Sequence, residues 1–144
     1  MTVPARLSIV TLGVDDLQRS IAFYEALGWR KSSASIEGVI AWFHTNETAL
    51  GLFPRAELAA DAALPSEPRA PFGGITLAMN IEHEELVQPL LEAAAAAGGS
   101  ILKPATRADW GGVSGYFADP DGHPWEIAWN PGFELDEDGR LRLP

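Results

Sequence analysis

The sequence predicts an α+β fold in which two βαβββ modules form a curved mixed sheet around a cleft, with the helices outside. Three observations carry this expectation. The order strand, helix, strand, strand, strand occurs twice along the chain. Each helical segment has an apolar stripe at helical spacing and ends on glycine, at Gly28 in the first and at Gly98-Gly99 in the second. Strand alternation turns mostly small or polar residues to the face away from the helices, among them Thr11, Gly51, Thr76, Ala78 and Glu126. A filled core would place Leu or Ile there, so these positions leave room for a ligand.

The first module spans residues 6–54. Its opening strand runs from Leu7 to Val14. Asp15 or Asp16 caps the helix that follows, and with Asp15 as cap Gln18 falls at the third helical position. Leu17, Ile21, Tyr24 and Leu27 make the buried stripe. Three strands are expected over 29–33, 39–44 and 49–53, with turns at Gly38 and Asn46-Glu47. A linker over residues 55–71 follows, bounded by Pro54 and rich in proline, with at most a short helical turn near Ala56 to Ala63.

The second module, residues 72–130, repeats the plan. A strand is expected over 72–81, weakened at its start by Gly73-Gly74. Glu82 to Glu85 give the next helix an acidic opening suited to the helix dipole, and Leu86, Leu90, Leu91 and Ala94 form its stripe. Pro89 predicts a kink or a late start. Strands over 100–103, 113–117 and 125–129 complete the module. The last two are joined by Asp119-Pro120-Asp121-Gly122-His123, a tight turn in which Pro120 presets φ and Gly122 accepts a positive φ. Glu126 follows this turn and faces away from Trp125 and Ile127, toward the cleft. The tail, residues 131–144, carries the turn dipeptide Asp138-Gly139 and predicts a small hairpin.

Composition bounds the function. With 47% hydrophobic and 21% charged residues the chain reads as one soluble domain, residues 1–144. No apolar run approaches the roughly 18 residues that span a bilayer, and the N-terminus lacks a signal-peptide pattern, so a cytoplasmic location is expected. Zero cysteines exclude disulfides, thiolate metal sites and cysteine nucleophiles. A net charge of −10 with scattered basic residues argues against nucleic acid and anionic membranes as partners.

The opening segment Val14-Asp15-Asp16-Leu17-Gln18-Arg19-Ser20 with Phe23-Tyr24 and Leu27-Gly28, together with the closing Asp119-Pro120-Asp121-Gly122-His123 and Glu126, resembles the vicinal oxygen chelate superfamily over residues 6–130. That superfamily includes glyoxalase I, extradiol dioxygenases, and the bleomycin- and fosfomycin-resistance proteins. Its metal-using members hold one divalent ion with four inward side chains from the first, fourth, fifth and eighth strands. The resemblance puts these positions at Ile9, near Gly51, at Gly74 or Ile75, and at Glu126. A single carboxylate among them cannot hold a catalytic divalent ion. The expectation is therefore no metal cofactor, a divalent metal being the alternative. The resemblance also implies a homodimer.

A metal-free cleft still needs a lining. Trp42, Phe53, Trp110 and Tyr116 are expected to supply aromatic surface, with Thr76 and Glu126 as polar groups and His44 at the edge. Such a lining suits a flat or partly cationic small molecule. Trp110 lies in a glycine-rich loop, where lid and loop anchor are both open readings. Two functions compete: binding of a small organic molecule without chemistry, as in the bleomycin-resistance branch, and a lyase or dioxygenase with an atypical site. In the second, Glu126 is the general base and Tyr116 a second catalytic candidate.

Overall fold

The computed structural model describes residues 1–143. The first module comprises β1 (Ile9–Val14), α1 (Leu17–Ala26), β2 (Ala41–Phe43) and β3 (Ala49–Pro54). Its sheet has the order β1-β3-β2, with β1 parallel and β2 antiparallel to β3. After α2 (Arg55–Asp61), the second module comprises β4 (Leu77–Asn80), α3 (Val87–Ala96), β5 (Ser100–Arg107), β6 (Val113–Ala118) and β7 (Pro124–Trp129). Its sheet has the order β4-β7-β6-β5, with β4 parallel to β7. In both modules the opening strand thus lies parallel to the closing strand at one edge of the sheet. The tail forms a third, two-stranded sheet from β8 (Glu134–Leu135) and β9 (Leu141–Arg142).

Several elements differ from their expected form. Asp16, not Asp15, caps α1, accepting from the Arg19 N–H at 3.0 Å. Asp15 instead pairs with Arg69. The buried face of α1 is Ser20, Ile21, Phe23 and Tyr24, with Leu17 and Leu27 only partly covered. The strand expected over 29–33 shrinks to one bridge, Lys31 with Phe43, although Ser32 and His44 still donate to Trp42 and Arg30 carbonyls. The strand expected from residue 72 begins only at Leu77, because Gly74 adopts φ 82° and breaks the extended run. α2 forms directly after β3, in a segment read as mostly irregular. Ahead of α3 the chain makes a 3₁₀ turn, Glu84–Leu86. The late start places Pro89 in the first turn, where no intrahelical donor is needed. It also leaves Val87, Leu91 and Ala94 as the buried stripe, while Leu86 and Leu90 stay 39% and 38% exposed.

One hydrophobic cluster draws on both modules: Leu12, Val14, Phe23, Tyr24 and Leu52 from the first, and Val87, Leu91, Phe117, Trp125 and Ile127 from the second. Tyr24 and Trp125 of this cluster pack against the partly buried Trp29, with ring centroids 5.4 to 6.2 Å apart. No strand ladder joins the two large sheets among the described residues. The turn 119–123 joins them through side chains. Asp119 is 3% exposed and accepts from the Tyr24 hydroxyl at 2.8 Å, and Tyr24 accepts from Trp125 Nε1 at 3.1 Å. The Asp121 carboxylate accepts from the Asp15 N–H at 2.8 Å and from Ser20 Oγ at 2.7 Å. His123 Nε2 lies 2.8 Å from the Gly13 carbonyl. Burial pushes the Asp119 carboxyl above its ordinary range, against the opposing pull of His123 and the Tyr24 bond. Burial and the neighbouring Asp119 charge push the Tyr24 phenol far up, so it remains a donor.

Candidate functional site

The second module's sheet presents a polar row on the face away from the core. Cross-strand pairing sets Lys103 opposite Tyr116, Tyr116 opposite Glu126, and Glu126 opposite Ala78. Directly paired residues share a face. Glu126 is half-buried while its neighbours Trp125 and Ile127 are buried in the core, which fixes its side. The Tyr116 hydroxyl is held above its ordinary pKa, first by burial and then by the Glu126 charge beside it. A phenol next to a carboxylate can relay a proton or bind a hydroxyl or amine.

On the first module, Thr11 and Trp42 both stand opposite Gly51. A Cβ added at Gly51 would come within 2.9 Å of Thr11 Oγ1, so the threonine occupies the space a larger side chain would need. Trp42 and His44 share a shallow hollow of about 310 Å³ with Ile9 and Ala49. Phe53 lies at the far end of β3, opposite Gly13. Trp110 is 53% exposed and folds its ring over Gly112, where any Cβ would overlap it.

A cavity of about 690 Å³ is lined by residues of both modules, among them Val10 of β1, Leu50 of β3 and the whole of β4. Its apolar lining includes Val10, Trp29, Leu50, Leu77, Met79 and Trp125. Polar groups come from His44, Asn46, Thr48, Thr76 and Asn80, and charge from Arg30, Glu47 and Arg140. Leu135 and Leu141, a cross-strand pair of the tail hairpin, cover one side.

Of the residues expected to form a site, His44 and Thr76 therefore meet at this cavity. Tyr116 and Glu126 meet each other on the second sheet, and Trp42 joins His44 in the smaller hollow. Phe53 and Trp110 line neither cavity. The sequence reading missed Arg30, Met79, Asn80 and Arg140 at the large cavity. It also missed Lys103, whose opposition to Tyr116 depends on register shifts within the β5–β6 pair. Among these, the turn dipeptide Asp138-Gly139 was the available signal, because a hairpin there must rest on something.

The family's divalent metal does not fit this donor set. Of the positions that the resemblance assigned to the metal, Ile9 lies on β1, Gly51 on β3 and Glu126 on β7, whereas Gly74 and Ile75 lie ahead of β4, whose residue opposite Glu126 is Ala78. Among the described residues, no three His, Cys, Asp or Glu side chains come together.

A βαββ unit followed by a βαβββ unit, each with its opening and closing strands paired in parallel and the second with an acid on the open face of its last strand, make an α+β fold with an internal repeat. The model of the Glyoxalase/Bleomycin resistance protein/Dioxygenase superfamily matches residues 6–127, and the chain belongs to that superfamily. Among solved structures, a glyoxalase-related enzyme from Fulvimarina pelagi is 35% identical, with a TM-score of 0.85, over 97% of this chain and 99% of that one. A glyoxalase/bleomycin resistance protein/dioxygenase family enzyme from Burkholderia phytofirmans PsJN is 20% identical, with a TM-score of 0.77, over 87% of this chain and 98% of that one. A lactoylglutathione lyase from Agrobacterium tumefaciens is 23% identical, with a TM-score of 0.66, over 89% of this chain and 96% of that one. The last two share the fold. No curated protein matches the chain.

Proposed function

We propose that this protein binds a small organic molecule in the cavity between its modules, without the divalent metal used by many of its relatives. The observation that carries this is the cavity of about 690 Å³, with an aromatic and aliphatic floor and a few polar groups around it. Ligand sites for small organic molecules have this size and make-up, on the order of 300–1,000 Å³. The metal-free reading is supported by the donor set: among the described residues, the cavity lining offers one imidazole, His44, and one carboxylate, Glu47, and no third such group comes together with them.

The protein acts, in this reading, as a cytoplasmic homodimer. Support for pairing comes from apolar side chains left open: Ile9, Phe72 and Ile75 are 49%, 61% and 67% exposed. Among the described residues, β1 and β4 also each keep one edge without a strand partner. Among the described residues, no helix is long and apolar enough to cross a membrane.

A thermal-shift screen of metabolites and antibiotics tests the binding reading, because a ligand of the folded state raises apparent stability by mass action. A hit whose effect disappears in Met79→Trp, which fills the cavity, supports it. A hit insensitive to that substitution contradicts it.

A second reading is supported by the Tyr116–Glu126 pair. A carboxylate beside a phenol is the acid–base equipment of a lyase or oxidoreductase that removes a proton from its substrate. Glu126→Gln separates the readings: turnover that vanishes while binding persists favours the enzyme.

A further inference from the structure

We infer that the molecule held between the modules is an organic anion with a flat apolar body, and that the C-terminal hairpin supplies part of its anion contact. This rests on the binding reading above and narrows it to a ligand class.

The floor sets the body. Trp29 and Trp125 pack edge-to-face at 5.4 Å and 86°, and Met79 adds a polarisable thioether. Indole faces and sulfur favour a planar apolar group.

Charge sets the head. The chain carries 20 acids against 10 Lys and Arg, yet the cavity lining reverses this balance, with Arg30 and Arg140 against the single carboxylate of Glu47. Arg30 makes no ion pair among the described residues. Arg140 is paired only with Asp138, at 3.4 Å and with both side chains well exposed, a contact that a ligand can replace at little cost. Guanidinium forks match carboxylate, sulfonate and phosphate oxygens. A cationic ligand would meet the same two guanidinium groups and be repelled.

The hairpin sets the closure. It is internally tied, since Asp136 accepts from the Asp138 and Arg140 N–H groups and from the Arg142 guanidinium. Among the described residues, its hydrogen bonds to the body run through Asn46, which donates to the Asp138 carbonyl and accepts from Arg140 Nε at 3.4 Å. The strap therefore brings Arg140, Leu135 and Leu141 to the cavity as one unit.

Two dyes of like shape test the class: 8-anilinonaphthalene-1-sulfonate, an anion, and N-phenyl-1-naphthylamine, which is neutral. Fluorescence titration of the intact protein is expected to show saturable binding of the anion, about tenfold tighter than the neutral dye. Arg30→Ala and Arg140→Ala are each expected to erase most of that preference, and Leu141→Trp to block both dyes. Equal affinities for the two dyes, or a preference unchanged by both arginine substitutions, overturn the inference. Where the dyes bind equally and Leu141→Trp still blocks them, the anion class falls while the cavity reading stands. Where Leu141→Trp and Met79→Trp change neither dye, both fall.

Discussion

At the scale of single residues, the informative positions are those where the side chain is smaller or more polar than packing asks. Thr11 fills the space that a side chain at Gly51 would need, since a Cβ there would come within 2.9 Å of its Oγ1. Alternation along the strands made Thr11, Gly51 and Glu126 readable as cleft-facing from the sequence alone. Lys103 was not readable, since its partner is set by irregular register. The Tyr24 hydroxyl bridges Asp119 and Trp125 across the modules. Tyr24→Phe removes a donor from a buried carboxylate and should cost about 1–3 kcal/mol, read as a lowered urea midpoint with unchanged m-value. An unchanged midpoint would show that the hydroxyl carries no inter-module load.

At the scale of elements, local signals were legible and long-range ones were not. The Asp16 cap and the stop at Gly28 mark α1 in the sequence, and Pro89 and the stop at Gly98-Gly99 mark α3. The Phe72 start failed because Gly74 breaks the strand, and the 29–33 strand failed because only Lys31 forms a bridge. The turn 119–123 looked like a hairpin device, yet it is also the junction of the modules: Asp121 bonds residues on β1's exit and on α1 that lie more than a hundred positions away. No periodicity encodes such a contact. Asp121→Ala leaves the Asp15 N–H and the Ser20 hydroxyl without their acceptor and should cost about 2–4 kcal/mol. Hydrogen exchange should accelerate at Asp15 first. Gly115→Val should destabilise by more than about 2 kcal/mol, because even a Cβ would sit 2.5 Å from Leu91 Cδ1 and 2.8 Å from the Lys103 carbonyl. Thermal melting checks it, and a neutral result would contradict the tight α3–β6 contact. Asp15 is held below the ordinary carboxylate range mainly by its hydrogen bond from Arg69. A lowered folded-state value means stability that is present above the unfolded carboxylate's pKa, near 4, and lost as pH falls through the folded value. The difference in melting temperature between the native chain and Arg69→Ala should accordingly shrink to zero as the pH drops below that window.

At the scale of the whole molecule, the duplication was visible because it is written in the order of elements. The cavity was not, because its lining comes from both modules and the tail hairpin, segments far apart in the chain. The expected lining is divided between two sheets, with Trp42 on that of the first module and Glu126 on that of the second. Pairing of two chains should bring the faces of these sheets together. Light scattering after size exclusion should give twice the 15.5 kDa chain mass. A monomer at micromolar concentration would remove that part of the account.

The most direct test is a calorimetric titration of the strongest thermal-shift ligand into protein dialysed exhaustively against EDTA. The expected result is one site per chain with affinity unaltered by the chelator and abolished by Met79→Trp. Binding that disappears with the chelator and returns with a divalent ion would contradict a metal-free cavity between the modules.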